Sequence, residues 1–155
     1  MNKLTQPMQE IIHNYSAGSV ATVNDDGTPA VSPKATFVVI NDECIAFGNI
    51  RSPKTVANIL VRPAVEVNFI DVLTRRAVRV AGYAEVVDKT SAQGQALMPT
   101  FMALWEPYVA DMENFVSIAL TRAELILSPA YDVGYTQEEL FQTNLIKLTK
   151  LSNSR

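Results

Sequence analysis

Two short stretches carry residue types suited to one chemistry, the capture of an anion. The first is Arg51-Ser52-Pro53-Lys54-Thr55. Ser52 is a good helix N-cap, and Pro53 suits the first helical position, where a missing N–H costs nothing. Lys54 and Thr55 then fall at the second and third positions with Arg51 just upstream, so two cations crowd a helix end that already carries partial positive charge. A phosphate would relieve that crowding by accepting free backbone N–H groups, the Ser52 and Thr55 hydroxyls and both cationic side chains. An Asp or Glu meeting the cations at a solvated helix start would relieve it too. The second stretch is Ser32-Pro33-Lys34. In a strand Ser32 and Lys34 share one face, and Pro33 between them donates no ladder bond, which fits an edge or an irregular point. Lys34 there either faces solvent or joins the first group around one anion.

The elements that must position these residues can be read from periodicity. Met8, Ile11, Ile12 and Tyr15 recur at helical spacing, so residues 1–17 read as a short amphipathic N-terminal helix ending before Gly18. Ser19 to Val23 reads as a strand, and Asn24-Asp25-Asp26-Gly27 as a hairpin turn into a second strand from Pro29 to Ile40. Asn41-Asp42-Glu43 turns the chain into a third strand through Phe47, completing an expected three-stranded meander that brings Ser32 and Lys34 close to Gly48-Asn49. The helix opened by Ser52 closes at Arg62-Pro63, and Ala64 to Ile70 resumes as strand.

Arg75 to Val87 forms one long strand, with Gly82 expected to mark a bend or bulge. Thr90-Ser91-Ala92-Gln93 fits a capping box for a helix that Pro99 should kink and Pro107 should end. Along Val116 to Leu127 the apolar parity switches from Val116, Ile118 and Leu120 to Ala123, Leu125 and Leu127. A strand cannot change faces without an irregularity, which predicts a bulge near Thr121 and Arg122. Leu140, Phe141, Leu145, Leu148 and Leu151 give residues 136–155 a helical pattern, expected to pack on the barrel or on another subunit. Six or so strands, one inserted helix and a helical excursion indicate a small, mainly antiparallel β-barrel with peripheral helices.

Composition narrows the function classes. The chain has 155 residues, 48% hydrophobic and 19% charged, with a formal net charge of −3 and a pI near 5.1. One domain over residues 1–155 is expected. The charge argues against nucleic-acid binding through a basic face. No apolar run approaches bilayer length and Met1 to Tyr15 lacks a signal-peptide pattern, so a cytoplasmic protein without a membrane partner is expected. Cys44 is the only cysteine and His13 the only histidine, which argues against a Cys/His metal site and against an intrachain disulfide. A Ser-His-Asp hydrolase would need His13, which lies on the polar side of the first helix.

Taken in order, Asp26-Gly27-Thr28-Pro29, Val31-Ser32-Pro33-Lys34, Phe47-Gly48-Asn49, Ser52-Pro53-Lys54-Thr55, Asn58, Arg62-Pro63 and Val65 resemble the pyridoxamine 5′-phosphate oxidase-like family of FMN-binding split barrels. The resemblance runs from Ser19 to Gly82. It implies a six-stranded antiparallel split β-barrel homodimer with FMN at the subunit interface. The phosphate would be held by Ser32, Pro33 and Lys34 together with Arg51, Ser52, Lys54 and Thr55. The backbone around Phe47, Gly48 and Asn49 would border the ribityl chain and flavin.

The chain also departs from the oxidase. An arginine of the oxidase is replaced by Ser32 and an Arg-Lys pair by Pro53-Lys54, while a flavin-contacting glutamine falls at Ala77. The substrate-clamping arginine and histidine have no counterpart in Thr143 to Arg155. The resemblance therefore implies an FMN-binding oxidoreductase of the short branch, without pyridoxamine phosphate as substrate. Trp105, Tyr108 and Tyr131 are candidate walls for the open flavin face, and no catalytic acid or base can be named. A flavin carrier or sensor without turnover, or a barrel holding deazaflavin or haem, remain alternatives.

Overall fold

The computed structural model describes residues 3–155, so residues 1–2 of the expected N-terminal segment lie outside the described residues. In chain order the elements are α1 (Gln6–Asn14), β1 (Gly18–Val23), β2 (Pro29–Lys34), β3 (Phe37–Asn41), β4 (Cys44–Asn49), α2 (Pro53–Val61), β5 (Ala64–Asp71), β6 (Arg76–Val87), α3 (Ala92–Val109), β7 (Asn114–Leu127) and α4 (Gln137–Asn153). The strands form one antiparallel sheet in the order β2-β1-β5-β6-β7-β4-β3.

That order corrects the expected meander and strand count. The stretch Pro29 to Ile40 is two strands, broken at Ala35-Thr36, and the sheet has seven strands. β2 and β3 are its two edges, yet only two residues join them. Three Cα steps span at most about 11 Å, so the sheet must curl until its edges nearly meet. The edges do not pair with each other, and the barrel is therefore split beside β2. Pro33 sits on this edge strand, where its missing N–H costs no ladder bond.

The barrel interior is filled by Val20, Phe37, Ile45, Phe47, Phe69, Val78, Val80, Val116 and Ile118, with Ile11 and Ile12 of α1 joining the same core. Phe37 meets Phe69 edge-on at 4.8 Å. A second cluster lies under α3, where Phe101 stacks on Phe115 at 4.2 Å.

The bulge expected near Thr121 is present. Ala81 pairs with Arg122 but Gly82 pairs with Leu120, so Thr121 is the extra residue that switches the face of β7. Gly82 is required there, because a Cβ would lie 2.1 Å from the Ala119 carbonyl oxygen. Helix α3 departs from expectation in two ways. Its N-cap is Ser91, whose hydroxyl accepts from the Gly94 N–H at 3.0 Å, while Gln93 turns to Glu85 and closes no capping box. Pro99 lies within the helix, and the break comes at Trp105 (φ −130°, ψ 24°). Pro107 can account for this break, since its ring removes a helical N–H and crowds the carbonyl four residues back.

Candidate anion-binding cleft

β1 and β2 are joined by a turn that Asn24 closes by donating its N–H to the Thr28 carbonyl at 2.9 Å, with Gly27 at φ +81°. The resulting register sets Gly18 opposite Lys34, Val20 opposite Ser32 and Thr22 opposite Ala30. Cross-strand partners share a face, so Thr22, Ser32 and Lys34 lie on one side of the hairpin. Lys34 Nζ donates to Ser32 Oγ at 2.8 Å. Burial alone pushes the Lys34 ammonium below its ordinary value, as expected for a cation without an anion.

Helix α2 meets this face at its N-terminus. Its first turn contains no acidic residue, and Ser52 makes no side-chain capping bond. The Val56 N–H returns to the Ser52 carbonyl at 2.9 Å, which leaves the Lys54 and Thr55 amides as unpaired donors. Ser52 and Thr55 are each 6% exposed.

The helix is pinned by residues the sequence had flagged only as motif. Asn58 Nδ2 donates to Thr22 Oγ1 at 3.0 Å and to Asn24 Oδ1 at 3.1 Å. Arg62 Nε donates to the Val23 carbonyl at 2.9 Å and pairs with Asp25 at 2.6 Å. Among the described residues, no carboxylate lies within ion-pair distance of Lys34, Arg51 or Lys54. Asp26 is near enough to feel Lys54, but its carboxylate is taken by the Thr28 hydroxyl and N–H.

These groups enclose a cleft of about 240 Å³ lined by Thr22, Ala30, Val31, Ser32, Lys34 and Arg51 to Thr55. A second cleft of about 480 Å³ shares Lys34, Arg51 and Ser52 and continues along Pro33, Ala35, Thr36, Gly48 and Ile50. Its wall is held by Thr36, whose hydroxyl donates to the Gly48 carbonyl and accepts the Gly48 N–H, both at 3.0 Å. A side chain thus supplies a ladder contact where β2 has ended and β3 has not begun. On its other side Gly48 faces Met112, whose Sδ would lie 2.1 Å from an added Cβ and would have to move aside.

Eight of the ten expected site residues, Ser32, Pro33, Lys34, Gly48, Arg51, Ser52, Lys54 and Thr55, line one cleft or the other. Phe47 and Asn49 do not. The Phe47 ring is fully buried against Phe37 at 5.2 Å, and Asn49 donates to Asn114 Oδ1 at 3.1 Å, its own Oδ1 buried without a partner. Trp105, Tyr108 and Tyr131, the candidate aromatic walls, line neither cleft. Trp105 Nε1 donates to the Phe37 carbonyl and the Tyr131 hydroxyl to the Thr74 carbonyl. Thr22 and Thr36 were missed. The hairpin register implied by the Asn24–Gly27 turn could have placed Thr22 beside Ser32, whereas Thr36 depends on the split, which no local pattern announces.

The split barrel and its cation-rich cleft define a class, and comparison with known proteins identifies it. The family model of pyridoxamine 5′-phosphate oxidase matches residues 4–127. The chain belongs to that family. Its fold is similar to HupZ of Group A Streptococcus (TM-score 0.69, 23% identity, 81% of this chain and 95% of that one). A protein from Lactobacillus delbrueckii named for pyridoxamine 5′-phosphate oxidase gives a TM-score of 0.66 at 24% identity, covering 80% and 95%. An FAD-binding protein from Mesorhizobium loti gives 0.63 at 15% identity, covering 79% and 93%. No curated protein matches the chain. Among the described residues no cluster of His, Cys, Asp and Glu could hold a metal ion, and no helix is long and apolar enough to cross a membrane.

Proposed function

We propose that this chain is an FMN-binding flavoprotein of the oxidoreductase type, working as a cytoplasmic homodimer in which a second copy completes the flavin site. The observation that carries this reading is the smaller cleft, where Lys34, Arg51, Lys54, two unpaired helix amides and the Ser52 and Thr55 hydroxyls converge with no protein anion among them. A phosphate monoester satisfies that donor set. The larger cleft shares Lys34, Arg51 and Ser52 with it and continues along Ala35, Gly48 and Ile50, small and apolar residues beside which a flat ring can lie.

When bound, the flavin supplies the redox chemistry, and the chain's own residues bind and orient it. Membership of the oxidase family supports the reading, as does the exposure of Met102, Leu104 and Tyr108 on α3, apolar surface of the kind a subunit interface covers. Titration of the apoprotein with FMN and riboflavin tests it. FMN should bind much more tightly, with light scattering reporting a dimer, and equal affinities would overturn the phosphate assignment. Anaerobic mixing of the holoprotein with NADH or NADPH separates enzyme from carrier, because only an enzyme bleaches rapidly.

A further inference from the structure

Thr22 lies within the phosphate cleft, is 3% exposed, and belongs to a hydrogen-bond chain whose direction is forced from one end. At that end is Asp26, held below the ordinary carboxylate range chiefly by the Thr28 hydroxyl and then by the Thr28 N–H. An ionised carboxylate only accepts, so the Thr28 O–H must donate to Asp26 Oδ1, at 2.6 Å. Thr28 Oγ1 is then left to accept, and it does so from Asn24 Nδ2 at 3.1 Å. This fixes the Asn24 amide with its oxygen toward Asn58, which must present Nδ2 at 3.1 Å. The second hydrogen of that same Nδ2 goes to Thr22 Oγ1 at 3.0 Å.

Thr22 must therefore accept from Asn58, and its own hydroxyl hydrogen is left over. Among the described residues that hydrogen has no acceptor, and Thr22 itself lines the cleft with Ser32, Lys34 and Lys54. We propose that Thr22 is a phosphate-binding residue of this cleft, a buried hydroxyl whose hydrogen is turned toward the ligand by the chain Asp26–Thr28–Asn24–Asn58. The assignment rests on the reading that the cleft takes the phosphate of FMN. The same chain docks α2 onto the β1–β2 hairpin, so one set of bonds both places the helix amides and aims the hydroxyl.

The test compares dissociation constants of FMN and riboflavin for the apoprotein and its variants, with apoprotein melting as the control for folding. A neutral hydroxyl donating to a charged phosphate oxygen has an effect on the order of tenfold. Thr22→Val should weaken FMN by about that factor, with riboflavin changed less than about twofold, whereas Thr22→Ser should keep the wild-type preference. A merely structural threonine would weaken both ligands together. Should the valine variant fail to fold, Thr22→Cys keeps an acceptor for Asn58 and offers only a weak donor, and should lose part of the FMN preference. If Lys54→Ala abolishes the preference for FMN while the folded Thr22 variants retain it, the phosphate reading stands and the role of Thr22 is overturned. If wild type shows no preference for FMN, both fall.

Discussion

Two polar clusters in this molecule are built from similar side chains and end in opposite states. At the β5–β6 turn, Asp71 is 4% exposed and surrounded by donors. It accepts the Thr74 hydroxyl, the Leu73 and Thr74 N–H groups at 3.0 Å, and an ion pair from Arg76 at 3.5 Å. The Tyr15 phenol lies against it and is pushed up by burial and then by that carboxylate. Tyr131 donates to the Thr74 carbonyl at 2.6 Å, and Asn144 of α4 donates to the Leu73 carbonyl at 2.9 Å while accepting from Arg75. That turn answers its buried carboxylate with donors and a cation, and it ties α1, α4 and the segment after β7 to one point. The start of α2 also gathers cations and hydroxyls, but no carboxylate answers them. A polar cluster that satisfies itself holds a fold together, whereas one left a single anion short is the kind of place for which we propose a phosphate ligand.

Replacing the centre of each cluster should therefore produce different losses. Asp71→Ala leaves Arg76 and several buried donors unanswered and should cost about 3 kcal/mol of stability, measured by denaturant unfolding, with no change in the preference for FMN over riboflavin. A changed preference would join the two regions and undo the contrast. Lys54→Ala should do the reverse, weakening FMN by roughly ten- to a hundredfold while riboflavin affinity and melting temperature stay close to wild type. Asn144→Ala should cost about 1 kcal/mol, and hydrogen exchange should show α4 loosened while the cleft is unaffected.

The smallest effects should appear in pH dependence, at opposite ends of the scale. For Asp71, burial raises the pKa but the Thr74 hydroxyl and N–H, Tyr15 and Leu73 together outweigh it, leaving the group below its ordinary 3.8. Its stabilisation is present above that value and is lost as pH falls through the folded-state pKa. Lys34 is depressed below 10.5 by burial. Between its folded value and 10.5 the unfolded chain holds more protons, so stability rises with pH across that window. FMN affinity should fall across the same window as the ammonium is lost. Affinity independent of pH there would remove Lys34 from the phosphate site.

Most of the cleft was legible in residue types. Ser52-Pro53 marks a helix start through capping and fixed φ, and Lys54 and Arg51 are anomalous there on electrostatic grounds alone. The bulge at Thr121 was legible because a period of two cannot change face silently. The break between β2 and β3 was not, since Ala35 and Thr36 interrupt neither the apolar pattern nor the turn chemistry. Phe47 is expected to border the flavin through its backbone, and its side chain belongs to the barrel interior. The kink at Trp105 has no signal at its own position, because Pro107 acts on the turn before it.

The local sequence alone determined that a helix begins at Ser52 with too much positive charge, and that a strand carries Ser32 and Lys34 on one face. Those facts depend on backbone preference, alternation and charge within a few residues. Only the tertiary structure decided that the two stretches confront each other, that no carboxylate reaches Lys34, Arg51 or Lys54 among the described residues, and that Asn58 of α2 docks on Thr22. Each of those depends on bringing together residues far apart in the chain, which no preference within a few residues can report.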